Sequence, residues 1–134
     1  MAKLTEIEGV GPAFAEKLQG AGVGTTDQLL EMGASPKGRK EIAEKSGIGE
    51  KQILGWVNKC DLMRVKGVGE EYADLLEASG VDTVPELAQR NAVNLVARMT
   101  EVNSEKKLVR ALPNESTVED WVKQASELPR KIEY

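Results

Sequence analysis

The chain contains no histidine and only one cysteine, Cys60. Without histidine it lacks both the usual general base near neutral pH and the commonest metal ligand, so a zinc site has no credible ligand set and a catalytic role is not expected. A single cysteine admits no intramolecular disulfide, which fits a reducing compartment, and Cys60 reads as a small buried apolar residue rather than a reactive thiol. Aromatic residues are few, namely Phe14, Trp56, Tyr72, Trp121 and Tyr134, which leaves the core to aliphatic packing. No apolar run approaches the roughly 20 residues of a membrane span, and the opening Met1-Ala2-Lys3-Leu4-Thr5-Glu6 lacks the apolar core of a signal peptide. Neither membrane insertion nor a small-molecule substrate is expected, and the expected location is cytoplasmic. No segment alternates with a two-residue period, so the expected fold class is all-α.

With 134 residues, 40% of them hydrophobic and 30% charged, the chain is long enough for a genuine core, burying roughly two-thirds of its unfolded surface. The net charge of −4 argues against nucleic-acid binding by bulk electrostatics. The charge is unevenly spread, however. Residues 35–66 hold eight bases against four acids, whereas 1–34 and 67–134 are acidic. A polyanionic partner should therefore meet the middle of the chain.

An internal repeat organises the sequence. Ile7-Glu8-Gly9-Val10-Gly11 returns 58 positions later as Val65-Lys66-Gly67-Val68-Gly69. At the same offset Leu4 matches Leu62, Phe14 matches Tyr72, Ala15 matches Ala73, Leu18 matches Leu76, Gly22 matches Gly80 and Leu29 matches Leu87. The matches fall on the apolar and glycine positions that set packing and backbone geometry. Two copies of one helical unit are expected, over 1–61 and 62–128, with 129–134 a flexible tail. Trp56 and Trp121 take similar places near the ends of the copies and are expected to pack inward.

Each copy predicts a short helix, a glycine turn and a second helix. The second helix starts at Pro12 in one copy and Glu70 in the other, since proline suits a first helical residue and glycine can take the left-handed turn before it. Thr25 or Thr26, Ser35-Pro36 and Thr83-Val84-Pro85 announce further helices. A third glycine pair, Gly47-Ile48-Gly49, interrupts the chain before a helix from about Glu50 to Cys60. Val93, Val96 and Met99 predict a helix to about Val102, Leu108, Val109 and Leu112 a further short one, and 117–128 a last one.

A hydrophobic-Gly-hydrophobic-Gly turn followed by alanine (Ala15, Ala73) and then leucine (Leu18, Leu76) resembles the helix-hairpin-helix motif. Two such units resemble the double helix-hairpin-helix domain of DNA repair nucleases, recombination helicase subunits, ligases and topoisomerases. Over the whole chain, with the Gly80-Val81-Asp82-Thr83 turn, the pattern is most similar to an uncharacterised family of small prokaryotic helix-hairpin-helix proteins. The resemblance covers most of the chain to about residue 90. It implies a compact SAM-like helical domain and weak, sequence-independent DNA binding, in which hairpin amides hold backbone phosphates. In many members the hairpin carbonyls also hold a monovalent cation, and no other cofactor is implied.

The residues to which this role transfers are Gly9, Val10 and Gly11, Gly67, Val68 and Gly69 with Arg64 and Lys66 on their approach, and Gly47 and Gly49 with Lys51 beyond. The chain departs from the family where DNA-binding members place Lys or Arg just inside the second helix. Here Pro12-Ala13 and Glu70-Glu71 stand instead. Carboxylates at a helix start favour the dipole but repel a phosphate aimed at the same amides, and Pro12 removes a donor. With Glu6 and Glu8 crowding the first hairpin, the second is the better phosphate candidate. The alternative is a protein-interaction adaptor whose acidic hairpins no longer bind DNA.

Overall fold

The computed structural model describes residues 3–7 and 9–134; Met1, Ala2 and Glu8, to which the sequence reading also refers, lie outside them. The described residues form eight α-helices: α1 (Pro12–Gly20), α2 (Thr26–Met32), α3 (Pro36–Ser46), α4 (Glu50–Leu62), α5 (Glu70–Ala78), α6 (Val84–Ala88), α7 (Ala92–Lys106) and α8 (Glu115–Glu127), after a 3-10 turn at Leu4–Glu6. Short polar side chains set the starts. Thr25 accepts from Gln28 N at 3.2 Å, Ser35 from Gly38 N at 3.1 Å, Asn91 from Asn94 N at 3.1 Å and Asn114 from Thr117 N at 2.8 Å, each satisfying an amide that has no partner inside its helix.

The chain divides into two compact units, one ending at Asp61 but including Lys131–Tyr134, the other spanning Leu62–Arg130. Each has its own apolar core. Ile7, Leu18, Leu29, Ile42 and Ile53 are fully buried in the first, and Leu62, Leu76, Leu87, Leu95 and Met99 in the second.

The same bonds recur at positions 58 apart. Val10 N donates to Ile7 O at 3.0 Å and Val68 N to Val65 O at 3.1 Å, closing the turns before α1 and α5. Val23 N donates to Leu18 O at 2.9 Å and Val81 N to Leu76 O at 2.8 Å, closing the helix ends over Gly22 (φ 91) and Gly80 (φ 93). This six-residue closure needs a left-handed residue, which glycine adopts without a Cβ clash.

Two expectations are corrected. The short helix expected around Leu108–Leu112 is a loop, because α7 runs to Lys106 and ends on the left-handed Lys107 (φ 51). Beyond it the Asn103 side chain takes both backbone groups of Val109, accepting from its N at 3.0 Å and donating to its O at 3.2 Å. The tail expected to be flexible is also anchored at Lys131–Tyr134. Ile132 is 2% exposed in the core of the first unit, Glu133 N donates to Ala34 O at 2.7 Å, and Arg39 Nη2 donates to Glu133 O at 2.8 Å.

Candidate nucleic-acid interface

In the first unit the turn before α1 exposes Gly9 at φ 91, buries Val10 to 3% exposure and passes through Gly11 as N-cap. In the second the turn before α5 exposes Gly67 at φ 97, buries Val68 to 4% and passes through Gly69. The left-handed glycine lets the chain reverse while the valine anchors it. Neither Gly11 nor Gly69 supplies a side-chain cap, unlike Thr25, Ser35, Asn91 and Asn114. The first amides of α1 and α5, at the positive ends of their helix dipoles, are thus presented without a competing side-chain acceptor from the cap. α1 offers one fewer because Pro12 has no N–H. The carbonyls of Ile7 and Val65 each accept one of the turn bonds described above.

Both turns rest on an indole. Trp56 Nε1 lies 3.5 Å from where a Cβ on Gly9 would stand, and Trp121 Nε1 3.0 Å from the corresponding point at Gly67. Phe14 packs on Trp56 with ring centroids 5.3 Å apart and Tyr72 on Trp121, also at 5.3 Å. The tryptophans are 4% and 1% exposed. They buttress the turns and offer no open face for stacking a base.

The third glycine pair is built differently. Gly47 (φ 75) caps the end of α3, Ile48 is buried, and Gly49 precedes α4. Here a hydroxyl intervenes: Ser46 Oγ accepts from Ile48 N at 3.2 Å and donates to Ile42 O at 2.6 Å. Lys45 and Lys51 flank this turn with exposed side chains. Because α4 starts at Glu50 and carries Trp56, one helix supports both glycine turns of the first unit.

Two of the bases of 35–66 are committed within their own units. Arg39 is 6% exposed and donates through Nη1 to Gly33 O at 2.9 Å and Ala34 O at 3.2 Å, besides Glu133. It secures the end of α2. Arg64 is half-buried and its Nη2 donates to Pro129 O at 2.8 Å, so the guanidinium assigned to phosphate joins the two ends of the second unit. Lys66 has an exposed side chain, while Gln124 holds its backbone, Oε1 accepting from Lys66 N at 2.9 Å and Nε2 donating to Lys66 O at 3.2 Å. Beside it lies an open cleft lined by Lys66, Gly67, Asp120, Gln124, Glu127 and Leu128.

The loop between α7 and α8 went unnoticed in the sequence. Together with Lys106, the last residue of α7, it exposes Lys107 and Arg110, and no acid occurs from 106 to 114. That local run was the available signal, hidden by averaging charge over an acidic half of the chain.

Among the described residues no helix is long and apolar enough to cross a membrane, and no group of three or more Cys, Asp or Glu could hold a metal ion. A family model described as a domain of unknown function (DUF4332) matches residues 8–128. No curated protein and no solved structure matches the chain.

Proposed function

We propose, from the premise that the chain belongs to the DUF4332 family, that it is a tandem helix-hairpin-helix protein arisen by internal duplication, a non-catalytic module binding DNA through the phosphate backbone without reading sequence. The observation that carries this reading is the pair of exposed left-handed glycines, Gly9 and Gly67, each followed by a buried valine and a helix start with no side-chain cap. Amides so presented suit a phosphate, and phosphate contacts position a protein on a duplex without specifying bases. Lys66, and Lys45 and Lys51 on either side of Gly47-Ile48-Gly49, are the exposed bases nearest in sequence to the turn glycines, and Arg64 keeps a structural role.

Fluorescence anisotropy with two unrelated duplexes tests it. Expected is equal binding to both, with Kd of about 10⁻⁴–10⁻⁶ M and steep weakening between about 50 and 200 mM salt. Absence of binding at low salt, or binding unaffected by Lys66→Glu, rejects it. A second reading, a protein-interaction adaptor, draws on the carboxylates of Asp120 and Glu127 in the cleft beside Gly67, which favour a basic partner segment over a phosphate. It predicts no DNA binding even at low salt.

A further inference from the structure

We propose that the loop Lys106–Arg110 is a second DNA-backbone contact of the Leu62–Arg130 unit, engaging phosphates together with the Gly67 hairpin; this rests on the DNA-binding reading above. The chain links α3 to α4 by Gly47-Ile48-Gly49 alone, but α7 to α8 by the eight residues Lys107–Asn114. The longer connection is where the bases sit. Lys106, Lys107 and Arg110 are all exposed, and the stretch 106–114, bounded by Glu105 and Glu115, itself holds no carboxylate.

The loop is held in one shape from several sides. Asn103 clamps Val109 through the two bonds given above, and Val109 is itself 8% exposed. Tyr72 OH donates to Ala111 O at 2.9 Å. Tyr72 is the third residue of α5 and packs its tilted ring against Trp121, the indole beneath Gly67. One aromatic pair therefore supports the hairpin glycine and the loop residue next to Arg110. Lys107 is the only non-glycine residue with positive φ among those described, a conformer that surrounding structure must hold in place. A fixed, acid-free basic loop tied to the hairpin's own supporting residues fits a row of backbone phosphates, a ligand recognised by charge and spacing.

Salt-dependent anisotropy on the full chain tests the proposal with Lys106→Gln, Lys107→Gly and Arg110→Gln, singly and combined, glycine being chosen because it keeps the left-handed conformer. Each phosphate contact removed should flatten the slope of log K against log salt by about 0.9, and the triple variant by two to three times that amount. Arg98→Gln serves as control, its guanidinium being paired with Glu101 at 3.3 Å on α7, and should keep the wild-type slope. If wild type binds and the folded triple variant binds with the same affinity and slope, the loop is not a contact, although the hairpin reading survives. If wild type binds no duplex at low salt, both fall. Should the triple variant fail to melt cooperatively, the Lys106→Gln, Arg110→Gln pair, which leaves Lys107 in place, decides by the same slope.

Discussion

A methyl group added at Gly67 would stand 3.0 Å from Trp121 Nε1, against 3.5 Å from Trp56 Nε1 at Gly9, and both residues hold a φ above +90. The backbone cost of alanine is therefore shared, about 1–2 kcal/mol at each site, while Gly67→Ala must also displace a fully buried indole, adding about 1 kcal/mol or more. Gly67→Ala should lower the denaturant midpoint further than Gly9→Ala, with the slope of unfolding unchanged; equal midpoints would show that the indole yields freely. Cys60 offers a different single-residue test. Burial, then the negative charges of Asp27 and Asp61, push its thiol up to about 12 from 9.0. Between those values the unfolded chain has lost the proton and the folded chain retains it. Its contribution thus leaves stability unaffected below pH 9 and erodes it as pH rises through the window, by about 1.4 kcal/mol per pH unit. Cys60→Ala should lack that component, so urea titrations of both proteins at neutral and alkaline pH should show their difference shrinking or reversing as pH rises.

At the scale of elements, the strap Lys131–Tyr134 combines a buried aliphatic residue, backbone pairing to Ala34, and an ion pair of Lys131 Nζ with Glu31 Oε2 at 3.2 Å. The exposed ion pair adds little, in the range of about 0–1 kcal/mol, so Ile132 should dominate. Ile132→Ala is expected to cost about 2–5 kcal/mol and Lys131→Ala less than about 1 kcal/mol, measurable by thermal melting; similar losses from the two would contradict this ranking. The strap was not legible in the sequence because its partners, Ala34, Arg39 and Glu31, lie far away along the chain. The helix starts at Ser35-Pro36 and at Thr25 or Thr26 were legible to within a residue, since a cap acts over three residues, and the structure settles the second on Thr25. The loop after α7 misled for the opposite reason. Leu108, Val109 and Leu112 have helical spacing, yet Lys107 takes a conformation normally left to glycine, and the Asn103 amide satisfies the backbone that a helix would have bonded. The turn glycines Gly9 and Gly67 were legible because a positive φ there favours glycine, whereas the extended Gly11 and Gly69 need no glycine conformer, and the commitment of Arg39 and Arg64 to carbonyl oxygens depends on tertiary neighbours.

For the whole molecule, connectivity matters most. The first unit is discontinuous, with the whole of Leu62–Arg130 lying between its body and its strap. If the second unit unfolds, the strap must dock across a flexible loop of that length, an entropic cost on the order of 4 kcal/mol, comparable to the contribution of Ile132. The first unit should thus lose its strap when the second melts, and wild type should unfold in a single calorimetric transition with matching van't Hoff enthalpy. Arg64 guards the ends of that loop by donating to Pro129 O. Arg64→Gln should remove a charge-assisted hydrogen bond worth about 1.5–3 kcal/mol before solvent screening, and less at this half-buried site, lowering the melting temperature. Its slope of log K against log salt for duplex DNA should nevertheless match wild type. A phosphate-binding Arg64 gives the opposite pattern, a slope flatter by about 0.9 with little change in melting, so calorimetry and anisotropy on this one variant separate an arginine that closes the unit from one that grips DNA.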